Sequence, residues 1–129
     1  MISKNFLLIV LIGFAIVCGD VVWGKQPSFK QFMFFYNSDC DYCHQMANTL
    51  LKLSKKHKLH IIAIGDNGKK IPQFPNSISD EELMVKFKIV SFPVLLAIDT
   101  RAKKFKLMCN GLESELLVEA KMLAWINNA

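Results

Sequence analysis

The chain has 129 residues, a net charge of +5, 52% hydrophobic residues and four cysteines. That length fits one domain and excludes two. Its lysines are scattered, with no arginine cluster, so the charge reads as a solvated surface rather than a nucleic-acid site, and affinity for an anionic membrane surface stays open.

The apolar excess begins at the N-terminus, where Lys4 precedes the run Phe6 to Val17. This run falls short of the roughly 20 apolar residues of a membrane span and has the length of a signal-peptide core. Cleavage is expected after Gly24, with Gly19 as the alternative. That makes residues 1–24 a signal peptide and residues 25–129 the exported domain. An uncleaved anchor extended by Val21, Val22 and Trp23 is the competing reading, and a lipid on Cys18 is disfavoured because Val17 ahead of it is not small. Without Cys18 an odd number of cysteines remains, so at least one thiol lies outside any intramolecular disulfide.

Phe29 to Tyr36 is a nearly continuous apolar and aromatic run, predicting a buried central strand. Asn37, Ser38 and Asp39 supply turn and cap chemistry, and a helix is predicted from about Cys40 to Lys56. Met46, Leu50, Leu51 and Leu53 recur there at helical spacing, and the lysine-rich last turn suits the helix dipole. Leu59 to Ile64 is a second strand, closed by Gly65-Asp66-Asn67-Gly68, and Pro72 and Pro75 make Lys69 to Asn76 a loop. Ser79 to Glu82 resembles a capping box that opens a short helix ending near Phe87. Val94 to Ile98 forms a third strand and Lys104 to Cys109 a fourth, whose alternation places Phe105, Leu107 and Cys109 inward together. Ser114 to about Ile126 closes the chain as an amphipathic helix. The order β-α-β-α-β-β-α predicts an α/β domain with a central mixed sheet of four strands and helices on both faces.

The chemistry concentrates in Cys40-Asp41-Tyr42-Cys43, placed where the first strand gives way to the first helix. Disulfide exchange needs an accessible thiolate and a second thiol near enough to resolve the mixed disulfide. A helix N-terminus favours negative charge on the first sulfur, so Cys40 is the attacking thiol and Cys43, one turn further in, the resolving one. Asp39 and Asp41 oppose a thiolate on Cys40, whereas a protonated His44 favours it, so a moderate balance is expected. The sequence also fits C-x-x-C-H, a haem-attachment pattern, but such domains are mostly helical and do not follow a buried aromatic strand. A zinc site would need ligands from His57, His60 or Cys109, which show no ligand spacing. No metal and no cofactor beyond the cysteine pair is expected.

With Ser91-Phe92-Pro93 ahead of the third strand, the sequence resembles the thioredoxin superfamily. That resemblance implies a thioredoxin fold and a cis Phe92–Pro93 bond opposite the cysteines. Phe92 would offer its backbone to an extended substrate. Separately, Tyr42 and Phe92 read as an apolar rim around the pair, with an ordinary structural role as the alternative for either. The stretch Phe34 to Gln45, together with Gly65 to Gly68, Phe74-Pro75-Asn76, Val90 to Pro93 and Gly111 with Glu115 to Leu117, is similar to the TraF/TrbB family. These are periplasmic thioredoxin-like proteins of F-type conjugative transfer. The likeness implies an oxidoreductase or isomerase acting on cysteine-containing exported proteins of the conjugation or secretion apparatus. It also implies a membrane or periplasmic thiol partner, no nucleic acid, and a monomer.

One departure matters. Redox-active thioredoxins place a buried Asp six residues before the first cysteine, and Phe34 stands there. Proton transfer from Cys43 must then use water or another group. Some family members lack the cysteines altogether, so an assembly or chaperone module is the alternative reading.

Overall fold

The computed structural model describes residues 29–128. The predicted signal segment, residues 1–24, and Cys18 lie outside them. Four strands and three helices follow in the expected order: β1 (Lys30–Tyr36), α1 (Asp41–His57), β2 (Ile61–Gly65), α2 (Glu81–Lys86), β3 (Val94–Asp99), β4 (Lys104–Asn110) and α3 (Glu115–Asn127). The sheet order is β2-β1-β3-β4. β1 runs parallel to β2 and antiparallel to β3, and β3 is antiparallel to β4. This is the mixed four-stranded sheet of a thioredoxin fold.

β1 is central, with strands on both sides and helices on both faces, which is why its sequence is apolar without alternation. Phe32, Phe34 and Tyr36 enter one core with Met46, Leu50 and Leu53 of α1 and Val118 and Met122 of α3. Met33 and Phe35 enter the other, beside Ile64, Val94, Leu96 and Met84 of α2. α1 and α3 therefore share one face of the sheet and α2 covers the other. No helix among the described residues is long and apolar enough to cross a membrane.

The predicted alternation of β4 is overturned. Its register shifts between Leu95 and Leu96, so that Leu95 faces Cys109 while Leu96 faces Leu107. Met108 is the extra residue of a bulge, and such an insertion reverses which face the following residues meet. Met108 and Cys109 are buried with α1 and α3, whereas Phe105 and Leu107 stand exposed on the other side of an edge strand. The closing helix is also less cleanly two-faced than expected: Val118 and Met122 are buried, but Leu116 and Leu117 are exposed.

Two local devices were not legible. Lys30, inside the apolar run, is buried and donates from Nζ to the carbonyls of Trp125 (2.8 Å), Ile126 (3.4 Å) and Asn128. Its cation thus sits on the last carbonyls of α3, where the helix dipole is negative. Gly65 ends β2 directly opposite Tyr36, and a Cβ there would lie 2.8 Å from the Tyr36 hydroxyl. Only glycine admits that ring.

Lys30→Met keeps the stem but loses the charge-assisted bonds, and should cost about 1.5–3 kcal/mol of stability. A lowered urea midpoint with an unchanged m-value is the expected signature.

Candidate active site

The site is built from the carboxyl ends of the two parallel strands. After Tyr36 the chain turns through Asn37, whose Oδ1 accepts from the Asp39 amide (2.9 Å) and whose carbonyl accepts from Cys40 N–H (3.1 Å). The loop after β2 braces this turn: Asp66 N–H donates to the Tyr36 carbonyl (2.9 Å) and Asn67 Nδ2 to Ser38 Oγ (2.7 Å). A weaker bond runs from Asn37 Nδ2 to Asp66 Oδ2 (3.4 Å). Cys40 is thereby held where α1 begins.

Cys40 is itself the N-cap of α1. Its backbone is extended (φ −97°, ψ 116°), and its Sγ accepts the Cys43 amide at 3.2 Å. Cys40 is half-buried and Cys43 is buried, and both are free thiols. The Cys43 thiol is pushed up to about 12, first by burial, then by its bond to Cys40 and by negative charge there, with a backbone contact from Asn37 opposing. Cys43 thus keeps its proton at neutral pH, and the two sulfurs differ in that Cys40 is the more accessible and Cys43 is buried and protonated.

The remaining predicted site residues separate. Phe92 is half-buried and packs, like Cys40, on the α1-side core, and the Phe92–Pro93 bond is cis. Pro93 is buried, and its carbonyl accepts from Gly111 N–H (2.8 Å), so the end of β4 is tied to it. Gly111 itself has φ +104°, which a side chain would strain. Phe92 precedes the first β3–β4 pair, Val94 with Asn110, so its main chain is not part of the ladder. Tyr42 is 61% exposed, on the outside of the first turn of α1. Asp41 is exposed in that same turn, where an acid suits the helix N-terminus. His44 does not turn to Cys40: its Nε2 donates to the Ser38 carbonyl at 2.7 Å and staples the turn to α1.

Sequence reasoning misses Val90, exposed two residues before Phe92, and Leu112, exposed just after Gly111. Apolar residues in the loops flanking Pro93 were the available signal. The place of the missing acid is filled by rings. Phe34 stacks on Tyr36 (5.7 Å) and meets Phe74 (5.9 Å), and the Tyr36 hydroxyl is bound to Ser77 Oγ (2.7 Å) and the Lys69 carbonyl (2.8 Å).

Cys109 donates to Glu113 Oε2 (3.0 Å), and Lys121 Nζ binds both Glu113 oxygens. Burial and then Glu113 push its thiol up to about 12. His57 donates to Glu119 Oε2 (2.7 Å), which helps join α1 to α3. Among the described residues no cluster of three or more His, Cys, Asp or Glu side chains could hold a metal ion.

Of Cys40, Cys43 and Cys109, only Cys40 should react with iodoacetamide in the native protein at about pH 8, because the other two stay protonated. Mass spectrometry after labelling reads this directly, and equal labelling of all three would contradict the division of roles. The Glu113 carboxyl is held below its ordinary 4.5, first by the Cys109 bond and then by Lys121. A depressed folded value gives stability that is full above the unfolded value and is lost as pH falls through the folded one. Glu113→Gln should therefore flatten the acid limb of the urea midpoint between about pH 6 and 3.

Comparison with known proteins agrees with this geometry. No curated protein matches the sequence. Among solved structures, a thiol:disulfide interchange protein of Chlorobium tepidum TLS superposes with a TM-score of 0.61 at 14% identity, over 76% of this chain and 80% of that one. The exposed lipoprotein thioredoxin Etrx1 of Streptococcus pneumoniae strain TIGR4 gives 0.61 at 15%, over 77% and 87%. A secreted disulfide oxidoreductase of Mycobacterium tuberculosis gives 0.55 at 11%, over 77% and 84%. At these identities the likeness shows the fold. The family profile TraF, described as F plasmid transfer operon protein, matches residues 30–123. The chain therefore belongs to the TraF family and carries it on a thioredoxin fold with a Cys40–Cys43 pair at the head of α1.

Proposed function

We propose that the protein is an exported thiol–disulfide oxidoreductase, with isomerase activity within its reach, serving cysteine-containing proteins of a conjugation or secretion apparatus. The observation that carries this is the pair itself: Cys40 Sγ caps α1 and accepts the Cys43 amide, while the Cys43 thiol waits buried beside it. The TraF match supports the conjugative setting. Periplasmic location rests on that family and on the signal-like run Phe6 to Val17.

In the reducing direction, the Cys40 thiolate attacks one sulfur of a substrate disulfide. The substrate S–S bond breaks, a Cys40–substrate disulfide forms, and the second substrate sulfur leaves as a thiolate and takes a proton. Cys43 then loses its proton and attacks Cys40 Sγ, releasing the first substrate sulfur. Two electrons and two protons pass to the substrate, and the pair is left as a disulfide for a thiol partner to reduce. Isomerisation stops short of that last attack, since a different substrate thiol displaces Cys40. Oxidation runs the steps backward.

Burial opposes deprotonation of Cys43, and the aromatic cluster at Phe34 supplies no carboxylate to take that proton. That arrangement prolongs the mixed disulfide, which suits an isomerase better than a fast reductase. An extended substrate would lie across Cys40 and Phe92, with Tyr42, Val90 and Leu112 as apolar flanks. No cofactor is required beyond the pair, and a monomer suffices.

Phe34 also favours a second reading, an assembly module whose cysteines are incidental. The two separate cleanly. Cys40→Ala should abolish insulin reduction and scrambled-ribonuclease refolding, while Cys43→Ala should accumulate a mixed disulfide visible on non-reducing gels. Full activity of Cys40→Ala would overturn the redox reading. Restored conjugation by Cys40→Ser/Cys43→Ser would establish the assembly role. The reduction potential of the pair then separates a donor-reduced isomerase or reductase from an oxidase.

A further inference from the structure

The α2 side of the sheet is only half covered. α2 has six residues and spans about 9 Å, against about 23 Å for the seven-residue strands β1 and β4. Its buried Met84 shares a core with Phe35, Ile64 and Val94, toward the end of the sheet that carries the cysteines. At the other end an apolar groove of about 630 Å³ lies open, lined by Met33, Ile62, Leu83, Phe87, Ile98 and Phe105. Phe105 is 59% exposed and meets Phe87 edge-on at 4.9 Å. The β4 bulge puts it there, by turning Phe105 and Leu107 away from the face that buries Cys109. Apolar surface gathered in one rimmed depression marks an interaction site more than scattered residues do.

The rim is basic. Lys86, Lys103 and Lys104 line the groove. Among the described residues none of the three is in an ion pair. Lys86 Nζ lies 5.8 Å over the Phe87 ring, so apolar wall and cation are presented together. The one acid in the lining, Asp99, is buried and its Oδ1 already accepts from the Arg101 and Ala102 amides. Two copies meeting face to face would set these lysines against each other, which disfavours a second copy of the chain. A flat bilayer surface would not fill a depression.

We propose that this groove docks an amphipathic, acidic segment of a partner protein, its apolar residues on Phe87, Ile98 and Phe105 and its carboxylates on Lys86 and Lys103. Ile98 pairs with Gln31 near the start of β1, whereas Cys40 follows the end of that strand. Docking therefore leaves the cysteine pair free, and the proposal does not rest on the redox reading.

The test uses the full chain and a labelled synthetic peptide of about four helical turns, with leucines at helical spacing and glutamates between. A matched peptide carries lysines in place of the glutamates. Fluorescence anisotropy should show saturable binding of the acidic peptide, weakened about tenfold or more for the basic one. Phe105→Glu and the exposed pair Lys86→Glu/Lys103→Glu should each weaken acidic-peptide binding similarly, and Cys40→Ala should leave it unchanged. Amide shift changes should gather on Phe87, Ile98 and Phe105. Equal binding of both peptides, or undiminished binding by the folded Phe105→Glu variant, would overturn the proposal. So would finding that the groove mutations affect only dimerisation, seen by sedimentation, or only binding to phosphatidylglycerol vesicles.

Discussion

The amides at the start of α1 have no partners within the helix, and the residue placed to accept one of them is a cysteine. Ordinary helices use Ser, Thr, Asp or Asn for this role. Here Cys40 Sγ takes the Cys43 amide, so the cap and the proposed nucleophile are one atom. Whatever holds the first turn of α1 in place therefore also positions that sulfur. The rest of the site follows from this requirement: a strand ending at Tyr36, a turn closed by Asn37, and a neighbouring loop that ties Asn67 to Ser38.

Burial then separates the two thiols. Cys43 lies one turn further along, inside the core formed by α1, α3 and the sheet, and the cost of a buried thiolate keeps it protonated. His44 serves the turn rather than the thiol, since its Nε2 is committed to the Ser38 carbonyl. Phe34, Tyr36 and Phe74 form an aromatic floor with its polar atom already satisfied, so the site holds its geometry firmly and offers little general acid–base help.

Beyond the site, the fold distributes its polar groups economically. Lys30 caps α3 from within the central strand, and Glu113 joins Cys109 to Lys121 where β4 passes into α3. Glu119 binds both Lys56 and His57, joining α3 to α1 on the same face of the sheet. The opposite face has only the short α2, and its open half is where the apolar groove and the unpaired lysines lie.

The sequence by itself determined the order of elements, the central place of β1 and the cysteine pair at a strand–helix junction. Each was written locally, in an unbroken apolar run, in helical spacing from Met46 to Leu53, and in a Cys-x-x-Cys preceded by turn residues. It also set Pro93 ahead of β3. Tertiary structure decided what local pattern could not. The β4 bulge depends on how Leu95 and Leu96 meet their partners, and alternation alone therefore put Phe105 and Leu107 on the wrong face while placing Cys109 correctly inward. The buried placement of Lys30 depends on carbonyls 95 residues or more away, and His44's partner depends on the shape of a turn. The Cys40–Cys43 division needed both: sequence supplied two thiols one turn apart, and the packing of α1 against the sheet chose which would keep its proton.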